Sequence, residues 1–186
     1  DVIVPEADRI GKEGEGWKIM MAGLNFERTN IAAGTVGWIR LVLNQCVPYA
    51  QRRVQFGKTT ADMPSNQDKI ANIVMRLNFL RDSVYYTALQ WDQGEDITVE
   101  ASSVKCMGVE MALKSAEEAT QIMGGDGVNR FYPVQNIFEV SKTEHVAGGT
   151  VEACRMTVFR SAVKTMKEDL EMTRRIADPE TGVPDK

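Results

Sequence analysis

Four short segments carry residue types able to do chemistry. Glu27-Arg28 sets a carboxylate beside a guanidinium. Arg53-x-x-Phe56-Gly57 offers a second guanidinium next to a turn. Gln121 precedes Gly124-Gly125-Asp126-Gly127, and Ala147-Gly148-Gly149-Thr150 opens an apolar-periodic run. A carboxylate can act as a general base, and an arginine can pair an anion. A glycine-rich segment that opens a helix presents free backbone N–H groups to an anion or oxyanion. Each segment also has an ordinary reading: a solvated surface pair, a cation at a helix C-terminus, a helix stop and a helix cap.

Other chemistries find little support. Cys46, Cys106 and Cys154 are odd in number, widely spaced and without a Cys-x-x-Cys pair, so they read as three small buried thiols. The single histidine, His145, excludes the paired Glu-x-x-His motifs of a di-iron bundle, and no metal site is expected. The 186 residues hold 22 Lys plus Arg against 26 Asp plus Glu, for a net charge of −4. That balance argues against nucleic acid as partner. With 43% apolar and 26% charged residues the composition is that of a globular chain. No apolar run is long enough to span a membrane, and DVIVPEADRI does not have the order of a secretion signal.

The elements that must position these segments are helical. From Trp17 to about Gln55, Leu24, Ile31, Ile39, Leu43, Val47 and Ala50 recur at helical spacing, with Pro48 expected to kink the run. A loop follows over 57–66, with Ser65 or Asn66 as N-cap. A second helix is expected over 67–93, with an apolar face of Ile70, Ile73, Val74, Leu77, Leu80 and Val84, ended by Gly94. A third, over 97–123, points Val104, Met107, Met111, Ser115, Ala119 and Ile122 inward. A shorter helix covers 134–146. The last runs from Gly149 to Arg175, with Val151, Cys154, Val158, Ala162 and Met166 facing in. The fold class expected is all-α, an up-down antiparallel four-helix bundle with a short extra helix. Val2–Val4 reads as the tail of a strand.

Taken in order, GKEGEGWKIMMAGLNFERTNIAAGTVG, YAQRRVQFGK, QIMGGDGV, YPVQNIFEVSK and AGGTVEACR resemble the C-terminal helical domain of the acyl-CoA dehydrogenase family over about residues 1–165. The resemblance implies three zones: residues 1–16 as the end of a middle β domain and linker, 17–176 as the bundle, and 177–186 as a flexible tail. It also implies a fragment of a longer polypeptide, or a subunit that another chain completes.

The implied activity is FAD-dependent. A carboxylate removes the α-proton of an acyl-CoA thioester and the β-hydrogen leaves as hydride to FAD, giving a trans-2-enoyl-CoA. Electrons pass on to an electron-transfer flavoprotein. Most of the family carries Glu-Gly-Thr where this chain has Gly148-Gly149-Thr150. A branch similar to isovaleryl-CoA and long-chain dehydrogenases carries its base on the first helix, at the position of Glu27. Glu27 is therefore the implied base and the Gly148 N–H an implied donor to the thioester carbonyl. Arg53, Phe56, Gln121, Gly124 and Gly125 match positions that hold the FAD of a neighbouring subunit; Thr150 and Glu152 match contacts to FAD in the same subunit. Asn25 and Arg28 match the acyl-CoA side. The family further implies a tetramer built as a dimer of dimers, in a prokaryotic cytoplasm or a mitochondrial matrix. Pro64 stands where a Gln is usual, and Glu139-Val140 where an Arg-Asp pair is usual. The alternatives are a non-catalytic structural subunit, or a related acyl-CoA oxidase or flavin monooxygenase.

Overall fold

The computed structural model describes residues 1–177, with side chains described through 171; the tail expected over 177–186 lies, beyond Ala177, outside the described residues. Five helices carry the chain: α1 Gly16–Arg52, α2 Pro64–Asp92, α3 Thr98–Met123, α4 Pro133–Glu144 and α5 Val151–Ala177. Short 3-10 turns lie at Glu6–Asp8, Thr60–Asp62 and Gly124–Val128. A two-residue hairpin, β1 Val54–Gln55 with β2 Lys58–Thr59, interrupts the loop after α1.

Cross-helix contacts fix the directions. Asn25 meets Thr98 and Arg28 meets Ser102, so α1 and α3 run the same way. Arg76 of α2 makes a bidentate pair with Glu118 of α3, whereas Leu80 lies against Gly108, so α2 runs against α3. Short α4 takes the next down-stroke, and α5 runs parallel to α3, with Val151 against Cys106 and Arg155 against Glu110. The result is the expected all-α up-down bundle with α3 at its centre, packed against all four other helices.

The buried stripe of α1 is Asn25, Arg28, Ala32, Thr35, Ile39, Val42, Cys46 and Ala50, in steps of three or four. Three of those residues are polar, and the expected Leu24, Ile31, Leu43 and Val47 flank the stripe half-buried. The helix runs through Pro48 to Arg52. On α2, Ile73, Leu77, Leu80 and Val84 are buried as expected, but Val74 is exposed. On α3, Met107 faces outward and Met111 is half-buried, because α3 buries two adjacent faces of small residues in place of one stripe. On α5, Val151 and Cys154 are buried, but Ala162 and Met166 are exposed: α5 packs chiefly on α3 and continues beyond it.

Local starts also differ from expectation. Helix α2 begins at Pro64, whose fixed φ suits the first helical turn, with Met63 as cap residue. Asn66 donates instead to the Thr60 carbonyl at 2.9 Å. Val2–Val4 forms no strand, and its side chains are exposed.

Helices α1 and α3 come close together at Gly108. A Cβ there would lie 2.6 Å from Thr35 Oγ1 and 3.5 Å from Ala32 Cα. Thr35 cannot easily turn away, since its hydroxyl donates to the Ala32 carbonyl at 2.7 Å in a fully buried site. Gly108→Ala should therefore lower the unfolding free energy by about 1–3 kcal/mol despite the better helix propensity of alanine. Urea denaturation measures this; equal or greater stability would show that α1 and α3 can separate freely.

Candidate functional site

Two recesses lie along α1: one is lined by Glu27, and the other by Arg53, Gly124 and Gly125; the remaining sequence-predicted residues line neither. Twenty-six positions separate Glu27 from Arg53, about 39 Å at 1.5 Å per residue.

The first recess, a groove of ≈ 440 Å³, is lined by Phe26, Glu27, Asn30, Ile31, Gly34 and Trp38 of α1, with Glu144 from the end of α4. The Glu27 carboxylate makes no hydrogen bond or ion pair among the described residues, so it is free to accept a proton. Gly148 lies directly against it. A Cβ on Gly148 would sit 3.8 Å from the Glu27 carboxyl carbon, and 2.8 Å from Ile31 Cδ1. With φ at +62°, Gly148 also has a backbone that side-chain-bearing residues seldom adopt. A glutamate at 148 would thus collide with Ile31, beside a carboxylate already in place. Glu27 of α1 and position 148 of the loop before α5 thus meet at one place.

The N–H groups of Gly148 and Gly149 donate to no acceptor among the described residues, while their carbonyls are held. Arg28 Nε donates to the Gly148 carbonyl at 3.1 Å, and Arg28 Nη1 reaches Asn25 Oδ1 at 3.4 Å and Ser102 Oγ at 3.3 Å. Asn25 donates in turn to Thr98 Oγ1 at 2.8 Å. Both Asn25 and Arg28 are buried, and neither lines the groove. The structure thus places these two residues behind Glu27, as supports of the 145–149 loop.

Lys105 completes that support. Its Nζ donates to the Gly149 carbonyl at 2.7 Å and to the His145 carbonyl at 3.3 Å. It is the largest fully buried side chain among the described residues. Sequence reading passes over it, because lysine is ordinarily exposed. The available signal is its setting, Ala101-Ser-Ser-Val-Lys-Cys106, a run without another charge.

Cys106 and Cys154 adjoin this loop. Cys106 Sγ reaches the Val151 carbonyl at 3.5 Å, and Cys154 Sγ lies 3.7 Å from the Gly149 carbonyl. The Cys106 thiol is pushed up, first by its hydrogen bond with Cys154 and then by burial. Cys154 is pulled down by that hydrogen bond, with Arg28 and Lys105 adding in the same direction. Cys46, alone in the core, is pushed up by burial to about 11. Thr150 caps α5, accepting from Ala153 N–H at 3.2 Å. Glu152 is exposed, and its carboxyl is held below the usual range by its own backbone N–H and then by Thr150.

The second recess, ≈ 290 Å³, joins Tyr49, Arg53, Thr60 and Gln55 to Gly124, Gly125 and Asp126. The Arg53 side chain has no hydrogen bond or ion pair among the described residues, so a guanidinium faces the recess unpaired. Tyr49 donates to Asp126 Oδ2 at 2.8 Å, and burial, then that bond, raises its pKa. Phe56 stands beside the recess at the hairpin turn. Phe56 and Gly57 have φ of +53° and +77°, the pattern of a type I′ turn. A phenylalanine there is strained, and its ring is 95% exposed. Gln121 is exposed and does not line this recess. An unpaired arginine above two glycines suits a phosphate-bearing group such as the dinucleotide end of FAD. Among the described residues no cluster of His, Cys, Asp and Glu could hold a metal ion, and no helix is long and apolar enough to cross a membrane.

All three thiols are at most 4% exposed. Ellman's reagent should therefore label none of them in the folded protein, and all three on unfolding. Labelling of Cys154 faster than global unfolding would show that the 145–151 loop opens by itself.

The family model for the acyl-CoA dehydrogenase C-terminal domain matches residues 14–163. An acyl-CoA dehydrogenase of Bacillus subtilis is 37% identical over 157 residues, 84% of this chain and 41% of that protein. A mitochondrial isovaleryl-CoA dehydrogenase of Oryza sativa is 33% identical over 161 residues, 87% of this chain and 39% of the relative. The solved butyryl-CoA dehydrogenase of Megasphaera elsdenii superposes with a TM-score of 0.84 at 32% identity, covering 86% of this chain and 42% of that one. The chain thus spans about two fifths of the proteins it matches.

Proposed function

The chain belongs to the acyl-CoA dehydrogenase family, and we propose that it supplies the proton-abstracting half of an FAD-dependent α,β-dehydrogenation of an acyl-CoA thioester. The observation that carries this reading is the 3.8 Å between the Glu27 carboxyl carbon and the place a Gly148 side chain would fill. The residue usual as base in this family is replaced by glycine, and a carboxylate from α1 stands beside the vacancy.

The chemistry follows from that geometry. A thioester bound in the groove offers its α-carbon proton to Glu27. The C–H bond breaks, the proton passes to a Glu27 carboxylate oxygen, and negative charge grows on the thioester carbonyl oxygen. The unoccupied Gly148 N–H is the donor for that charge. Glycine retains this N–H while giving up the side chain. FAD, when bound, supplies the two-electron acceptor for the β-hydrogen, which leaves a trans-2-enoyl thioester. Phe26 and Trp38 give the groove an apolar body against which an acyl chain can lie.

Arg53, Phe56, Gly124 and Gly125 serve the phosphate end of FAD, with Gln121 beyond the recess rim. Thr150 and Glu152, at the start of α5, are the candidates for FAD contacts nearer the groove. The family resemblance assigns the Arg53 recess to the FAD of a neighbouring subunit, and the span of about 39 Å from Glu27 to Arg53 along α1 is in keeping with two separate flavins. The reading includes a tetramer, an electron-transfer flavoprotein as acceptor, and a bacterial cytoplasm or mitochondrial matrix as location, in keeping with the bacterial and mitochondrial relatives.

Glu27→Gln in the full-length, flavin-loaded protein should lower kcat by about 10²–10⁴-fold, the share of a positioned general base. Anaerobic bleaching of the flavin by a panel of acyl-CoA thioesters measures it. Unchanged turnover would remove Glu27 from the mechanism; no bleaching in the parent protein would favour a structural subunit, and bleaching reversed by oxygen alone an oxidase. Separately, Arg53→Met should weaken FAD binding about tenfold or more with little effect on folding, read by flavin retention on gel filtration.

A further inference from the structure

We infer that Lys105 is a positioning residue for the proposed reaction: from inside α3 it ties down both sides of Gly148 and so sets where the Gly148 N–H points. The inference rests on the reading of Gly148 as the carbonyl donor.

Lys105 is fully buried, so its amine has no water to turn to. A polar group so placed must find partners within the protein. Among the described residues it has no carboxylate partner; both acceptors are backbone carbonyls of one loop, Gly149 at 2.7 Å and His145 at 3.3 Å. Core packing alone would be met by methionine or leucine, without that demand.

The two acceptors bracket the donor. His145 closes α4, where carbonyls are unpaired and the helix dipole is negative, so a cation is favoured there. Its carbonyl also accepts from the Val151 N–H at 3.1 Å, which draws the loop into a ring from 145 to 151. Gly149 follows Gly148 directly. Two successive glycines, at φ of +62° and +88°, are otherwise the softest backbone in the site. Arg28 fixes the carbonyl between them from the α1 side. With three carbonyls of the loop held by two side chains, the peptide units around Gly148, and with them its N–H, keep one direction. Displacing such a donor by about 1 Å is enough to cost about 10² in rate.

The test is Lys105→Met in the full-length, FAD-loaded protein, with Lys105→Gln as the partial restoration that keeps one donor. Backbone exchange of the 143–152 peptide, followed by mass spectrometry, should quicken about tenfold or more in Lys105→Met, while peptides of α2 keep their protection. With acyl-CoA thioesters kcat should fall about 10²-fold and KM move less than about threefold; Lys105→Gln should lie between. Unchanged exchange and unchanged kcat in a folded variant would overturn the inference. So would faster exchange spread evenly over α2, α3 and α5, which marks a purely stabilising role. If Lys105→Met does not fold, Lys105→Gln decides on the same two readouts. A parent protein that turns over no thioester would sink the proposed reaction alone, because the exchange measurement still shows whether Lys105 orders the loop.

Discussion

Arg28 of α1 and Lys105 of α3 reach the same short loop, and both donate to its backbone carbonyls, with no carboxylate partner among the described residues. A buried ion pair would neutralise each cation but would leave the loop free. Peptide dipoles neutralise less, and in exchange the backbone becomes part of the side chain's solvation. Removing either partner leaves the other unsatisfied in a dry site, so loop and cations are stable only together. The free N–H groups, the glycines at positive φ and the approach of Glu27 all depend on this arrangement.

The same requirement explains why α1 begins polar and ends apolar along a single stripe. Asn25, Arg28 and Thr35 meet Thr98, Ser102 and Gly108, whereas Ile39 to Ala50 meet apolar neighbours. Small residues on α3 bring the helices close enough for a guanidinium to cross between them. The Glu27 end of the bundle is therefore held by hydrogen bonds, and the far end by hydrophobic burial.

How much of this was legible in the sequence differs by element. The four long helices and the α3–α4 break were readable from periodicity and glycines. The buried faces were read less well, since periodicity weights apolar residues and the true stripe of α1 includes Asn25, Arg28 and Thr35. Exposed Met107, Ala162 and Met166 show the same limit: helical spacing tells which residues share a face, not whether anything covers it. The β1–β2 hairpin was invisible because two-residue strands have no period. Pro64, unusual for the family, turns out to be a helix-starting residue. Glu27 and Gly148 were separable as candidates only by family order; that they are neighbours needed the fold, as did Lys105, whose burial contradicts its residue type.

Helix α1 is one uninterrupted element whose two ends carry different halves of the proposed chemistry. In genetic terms this makes the lesions separable. On the proposed reading, a chain defective at Glu27 still carries an intact Arg53 for its neighbour, and a chain defective at Arg53 still carries an intact base. Co-expressed, two individually inactive alleles would then assemble some sites from two sound halves, so that reading makes interallelic complementation a consequence of the length of a single helix.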